Sequence, residues 1–208
     1  EFASWTDATV TSTSPGRIEF NISAVNENGV HIHINTSNPD NHIRNIRIVQ
    51  EIYEDDFETA PYLPQFTEKA DAFTALRFMD WTFTNNHPIV EWEDRKAPGF
   101  HTQSTEPAGM AWEHIIALCN YMQKDIWINV PHLASENYIM EMAHVFRDEL
   151  DDSLKIYLEY SNEAWNWIFE QTHWLNETGP FAGEIGRNYG YYSNRAFEIW
   201  ETQFDGET

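Results

Sequence analysis

The chain has 208 residues, 41% of them hydrophobic and 15% aromatic, which is enough apolar material to bury a sizeable core and spans the one- to two-domain range. Its 34 acidic and 12 basic residues give a formal net charge of -22, which repels nucleic acid and anionic membrane surfaces. No run approaches the roughly 18 to 20 apolar residues of a membrane span, so no membrane insertion is expected. The single cysteine, Cys119, rules out a disulfide within the chain and lies in a helical-looking apolar run, as a buried structural thiol does.

In chain order, residues 9–49 alternate in strand fashion. Arg17 to Ile22 and Val30 to Ile34 are expected to form a hairpin around the turn Asn26-Glu27-Asn28-Gly29, giving a β-rich module over 1–42. His31 and His33 share one face of the second strand. With no third ligand nearby they read as a solvated strand face, and no metal is assigned to them. From residue 43 onward short apolar strands alternate with longer helical or irregular stretches, the pattern of βα units on a parallel sheet. The predicted strands are Ile43 to Val49, Ala75 to Trp81, Ile126 to Val130 and Lys155 to Tyr160. The predicted helices are Ala111 to Gln123, Glu136 to Leu150 and Tyr191 to Gln203. Between Trp81 and Ala111 a long loop carries Asn85, Asn86, His87, Trp92, Asp94, Arg95, His101 and Gln103, a polar and aromatic mixture suited to sugar binding.

The richest segment is Lys155-Ile156-Tyr157-Leu158-Glu159-Tyr160-Ser161-Asn162-Glu163-Ala164-Trp165-Asn166. As a strand it sends Ile156, Leu158 and Tyr160 to one face and Tyr157, Glu159 and Ser161 to the other, with Glu163 just past its end. The strand followed by Ser161-Asn162-Glu163 and Trp165 resembles the Asn-Glu pair that closes the fourth strand in clan-A glycoside hydrolases, the (β/α)8-barrel clan of many cellulases, mannanases and β-glycosidases. Counting from Ile43, Lys155 to Tyr160 is the fourth strand here. Leu76-Arg77-Phe78-Met79-Asp80-Trp81 and Val130-Pro131-His132 extend the likeness to a group of secreted bacterial barrel proteins.

The resemblance implies a fold, a reaction and a place. The fold is α/β: the first half of a TIM barrel, about four βα units over 43–208, behind the small β-module. Glu163 becomes the general acid/base of a retaining hydrolase of β-linked glycans, and Asn162 the residue that bonds the sugar 2-hydroxyl. Arg77 and His132 match positions that shape the acceptor side and steady the carboxylates, with Asp80 a weaker match, while Glu159 reads as a structural partner of Arg77. The protein is expected to be secreted.

Residue chemistry points the same way. Glycoside cleavage needs one carboxyl that keeps its proton near neutral pH, which burial among Tyr160, Trp165 and Trp167 would favour, and a second carboxylate close by. Trp81, Trp92, Trp165 and Trp167 are candidates to stack on sugar rings. The clan's nucleophile sits on the seventh strand, so it is expected on a C-terminal half or a second chain that also completes the barrel. No cofactor is implied, although the acidic excess leaves room for structural Ca2+. The competing expectation is a noncatalytic carbohydrate-binding or assembly protein built on a degenerate half-barrel. Asn21, Asn35 and Asn176 head glycosylation triplets, which matter only in a glycosylating host.

Overall fold

A computed structural model of the chain describes residues 8–23, 34–103 and 106–204. The chain divides into two compact units, Glu1–Phe57 and Glu58–Thr208.

The first unit holds an antiparallel hairpin of β1 (Ala8–Ser14) and β2 (Arg17–Ile22), with a register shift between Val10 and Ser12. Pro15 and Gly16 make its turn: proline presets the first turn position, and Gly16 takes the second at φ 78°, which a side chain would disfavour. The partner of Arg17–Ile22 is therefore the segment before it. The expected turn over 26–29 and the histidines His31 and His33 lie outside the described residues. Ile43 to Val49, expected to be the first strand of the parallel sheet, is irregular and solvent-exposed, with no ladder hydrogen bonds. Asn45 breaks its extended path at φ 55°, a left-handed conformation that asparagine tolerates better than most residues.

The second unit is mixed α/β. Its parallel sheet runs in the order β3 (Ala75–Arg77), β4 (Asp125–Val130), β5 (Ile156–Tyr160). Helix α1 (Pro64–Ala70) precedes β3, α2 (Trp112–Met122) enters β4, and α3 (Glu136–Glu149) joins β4 to β5. Two further helices follow, α4 (Glu170–Thr178) and α5 (Ile185–Phe204). Among the described residues the parallel sheet has three strands, so the count that made Ile156–Tyr160 the fourth does not hold.

Period-two alternation divides the sheet into two unlike faces. In register, Leu76, Ile126 and Ile156 align, then Ile128 with Leu158 and Val130 with Tyr160. That face is packed by Ile115 and Cys119 of α2, Met142, Ala143 and Phe146 of α3, and Ala196 and Trp200 of α5. Each large aliphatic side chain enclosed there contributes about 1.5–3 kcal/mol. Cys119 is fully buried, and desolvation pushes its thiol up to about 12, leaving it protonated and unreactive. The opposite face carries Arg77, Trp127 and Tyr157 in one row and Asn129 with Glu159 in the next.

The helix ends are specified locally. Ser135 caps α3 by accepting the amide N–H of Tyr138 at 3.1 Å and donates its own hydroxyl proton to Glu91 at 2.8 Å. The buried Asn188 closes α4 by donating to the Leu175 carbonyl at 2.7 Å and accepting from the Phe181 amide at 2.9 Å. It sits so close to Gly179 that a Cβ there would fall 2.0 Å from its side chain.

Candidate functional site

The site forms where the strands of the second unit end. The strand predicted to run to Trp81 stops at Arg77, because the chain turns over: the Thr82 amide and hydroxyl both donate to the Phe78 carbonyl, at 3.0 and 2.9 Å. The loop that follows carries Asn85 and Asn86, the latter at φ 59°. After β5 the backbone twists twice within three residues, Ser161 at φ 55° and Glu163 at φ 40°. Such a conformation costs a residue with a side chain about 1–2 kcal/mol, and it persists only where the surroundings hold it.

Glu159 lies on the exposed face and is held at one oxygen by three donors: Arg77 at 2.8 Å, Trp127 Nε1 at 3.0 Å and Asn129 Nδ2 at 2.8 Å. The guanidinium of Arg77 also lies over the Trp127 ring, 4.8 Å from its centroid. Its Nη2 reaches Asn162 Oδ1 at 3.0 Å, so one cation ties the end of β3 to the two polar residues of the β5 segment. The expected pairing of Arg77 with Glu159 is present. Sequence reasoning missed Trp127 and Asn129, although their period-two spacing with Arg77 and Glu159 across the sheet was a usable signal.

Asn162 is nearly enclosed, and its amide is orientated without ambiguity: Oδ1 faces Arg77 and Nδ2 donates to Asn85 Oδ1 at 3.1 Å. Glu163, next in sequence, is exposed. Its Oε2 accepts from Asn166 Nδ2 at 2.8 Å, and its carbonyl accepts the Asn166 amide at 2.8 Å, closing a tight turn. The expectation that Tyr160, Trp165 and Trp167 enclose this carboxyl is not met. Tyr160 points to the helical face and packs on Tyr189 and Tyr192 of α5, while Trp165 is 72% and Trp167 55% exposed. These two indoles stand in the loop that follows Glu163. The Trp167 ring is propped by the edge of His173, 5.2 Å between centroids, and His173 Nε2 lies 2.9 Å from the Trp167 carbonyl oxygen.

The other two tryptophans lie elsewhere. Trp81 packs on Phe66 and Phe78 at 5.9 and 5.4 Å between ring centroids. Trp92 is sandwiched between the Arg95 guanidinium at 3.9 Å and Tyr138 at 5.3 Å, and Arg95 is fixed in turn by a two-armed pair with Glu113 at 2.6 and 3.0 Å. Both indoles serve the core rather than an open surface. Asp80 is exposed in the turn after β3.

His132 follows β4 but is only 3% exposed, with its ring edge-on to Trp174 at 5.8 Å. Burial lowers its imidazole to about 4. His87, equally enclosed, is lowered to about 4 by burial and by the nearby His132, while its Nδ1 accepts the Ile89 amide at 3.2 Å. Both rings are therefore neutral at pH 7. Among the described residues, buried polar atoms left without a partner include Asn129 Oδ1, His132 Nδ1 and Ser161 Oγ, all at or just beyond the ends of β4 and β5. No cluster of three or more His, Cys, Asp or Glu side chains that could hold a metal ion occurs among the described residues, and no helix there is long and apolar enough to cross a membrane.

No family model matches this chain, and neither a curated protein nor a solved structure does.

Proposed function

We propose that the second unit is the N-terminal half of a (β/α)8 barrel and that the protein is a secreted, retaining glycoside hydrolase of β-linked glycans, with Glu163 as general acid/base. The observation that carries this reading is the Asn162-Glu163 turn at the C-terminal end of a parallel strand, with Asn162 pinned by Arg77, which reaches it from the end of β3 across the intervening β4. Active sites of parallel βα folds are built at that end of the sheet. The polar and aromatic face opposite the helices suits the interior of a barrel. Trp165 and Trp167, exposed beside Glu163, suit the apolar C–H faces of pyranose rings.

In this reaction Glu163 gives its proton to the departing glycosidic oxygen while a carboxylate carried outside these residues attacks the anomeric carbon and forms a glycosyl ester. Glu163 then takes a proton from the water that displaces the ester, so the anomeric configuration is retained. Asn162 holds the 2-hydroxyl, and Arg77 holds Asn162. The remaining strands of the barrel, on the same polypeptide or a second chain, supply the nucleophile and cover the open sheet face.

A carbohydrate-binding protein without turnover is the second reading. The exposure of the Glu163 carboxyl favours it, since an acid/base that keeps its proton usually needs enclosure. Both readings require a glycan at the two indoles. Affinity electrophoresis through β-glucan, β-mannan and xylan gels tests that requirement: one of these polymers should retard the protein, and Trp165→Ala and Trp167→Ala should each weaken the retardation about tenfold. Unretarded migration in all three gels would remove the carbohydrate assignment.

A further inference from the structure

The Asn162-Glu163 turn is held from below by a residue that the proposed chemistry does not use. Gln171, in the first turn of α4, is completely buried and spends every polar atom on the two loops that frame the site. Its Oε1 accepts the amide N–H of Asn86 at 3.0 Å, in the loop after β3. Its Nε2 donates to the Asn162 carbonyl at 2.8 Å and to Asn85 Oδ1 at 2.7 Å. The orientation of the amide follows from its partners, since a backbone N–H needs the oxygen and two acceptors need the nitrogen. Asn85 Oδ1 is the same atom that receives Asn162 Nδ2, so three amides close a ring between the β3 and β5 loops. A last strut runs from Asn86 Oδ1, which accepts the Glu170 amide at 2.8 Å and fixes the start of α4 to the same loop.

We infer that Gln171 is a positioning residue: its side chain clamps the β3 and β5 loops together and holds the left-handed Ser161-Asn162-Glu163 backbone in its working conformation. The Asn162 carbonyl lies between the two strained residues, so a donor fixed on that oxygen opposes relaxation of both. Glutamate at 171 would place an acceptor against the Asn162 carbonyl and Asn85 Oδ1. Leucine, of similar size, would leave the Asn162 carbonyl and the Asn86 amide without the partners that Gln171 gives them, and Asn85 Oδ1 with Asn162 Nδ2 alone.

The effect on turnover rests on the glycosidase reading; the clamp itself does not. In the intact protein, amide hydrogen exchange over 84–88 and 161–169 should quicken about tenfold or more in Gln171→Leu, while α3 exchanges as before. Should Gln171→Leu fail to fold, Asn85→Ala removes the shared acceptor at a half-buried position and should loosen the same two segments. On the glycan that the protein cleaves, kcat should fall about 100-fold with KM changed less than about threefold, because a misplaced acid/base slows chemistry without removing the binding surface. Gln171→Glu should show the same split. Unchanged exchange in both loops overturns the clamp, and faster exchange with unchanged kcat overturns the positioning role. Absence of glycan cleavage by the unmodified protein counts against the glycosidase reading alone, and the exchange result still decides the clamp.

Discussion

Glu159→Leu is expected to destabilise the second unit by about 2–3 kcal/mol, seen as a lower urea midpoint at pH 7. The carboxylate oxygen that disappears receives Arg77, Trp127 and Asn129, and all three donors are left facing an apolar side chain. Arg77 and Glu159 retain side-chain exposures of 35% and 26%, so water compensates part of the loss and keeps the cost below that of a fully enclosed pair. Glu159→Gln keeps a neutral acceptor and should cost about 1 kcal/mol. A double-mutant cycle with Arg77→Met then separates the ion pair from the remaining hydrogen bonds: the two changes should be strongly non-additive. Additive effects would mean that the guanidinium is indifferent to Glu159 and is held by Asn162 and the Trp127 ring.

Acid should weaken the fold well before the carboxylates titrate. His87 and His132 are held neutral down to about 4, against 6.5 for a free imidazole, so between these values the unfolded chain binds more protons than the folded one. Stability from this source is complete above pH 6.5 and is lost as pH falls towards 4, at up to about 3 kcal/mol for each ring. Because both are well buried, solvent screening takes little from that figure. Relief of the repulsion within a chain of net charge -22 works in the opposite direction, so His132→Phe is the cleaner comparison. Phenylalanine fills the space beside Trp174 and removes the unpartnered Nδ1. The difference in unfolding free energy between pH 7.0 and 4.5 should shrink by about half in that variant. An equal pH dependence in both proteins would show that His132 becomes protonated inside the fold at little cost.

Elements with clean periodicity were legible in the sequence. Ile126 to Val130 and Lys155 to Tyr160 are strands within one residue, and the apolar spacing of Glu136 to Leu150 and Ala111 to Gln123 marks two helices. Alternation alone misled at Ile43 to Val49, where apolar residues recur at short intervals but no strand among the described residues supplies a ladder and Asn45 turns the backbone aside. Helix α4 was invisible for a different reason. The positions it buries are Gln171, Thr172 and Leu175, and two of these three are polar, so no hydrophobic stripe announces it.

The site was partly legible. Asn162, Glu163, Arg77 and Glu159 could be singled out from strand-end position, alternation and the resemblance, and the structure joins Arg77 to Glu159 and Asn162, while the Glu163 carboxylate bonds to Asn166. His132 could be placed after β4, but its enclosure by Trp174 is a tertiary fact. The four tryptophans could not be sorted, because an indole in a loop reads the same whether it meets Phe66, as Trp81 does, or solvent, as Trp165 does. The ring of amides from Asn85, Asn162 and Gln171 spans 86 residues of sequence and has no local signature.

In the proposed reaction Glu163 transfers the proton in glycoside cleavage. The most direct test of this role is release of reducing ends from β-glucan, β-mannan and xylan by the intact protein and by Glu163→Gln, which preserves the hydrogen-bonding shape of the turn and removes the transferable proton. At least one polymer should be cleaved with retention of anomeric configuration, and the variant should lose about 1000-fold or more in kcat on it while binding the polymer as before. Turnover by Glu163→Gln at the rate of the unmodified protein would contradict the assignment.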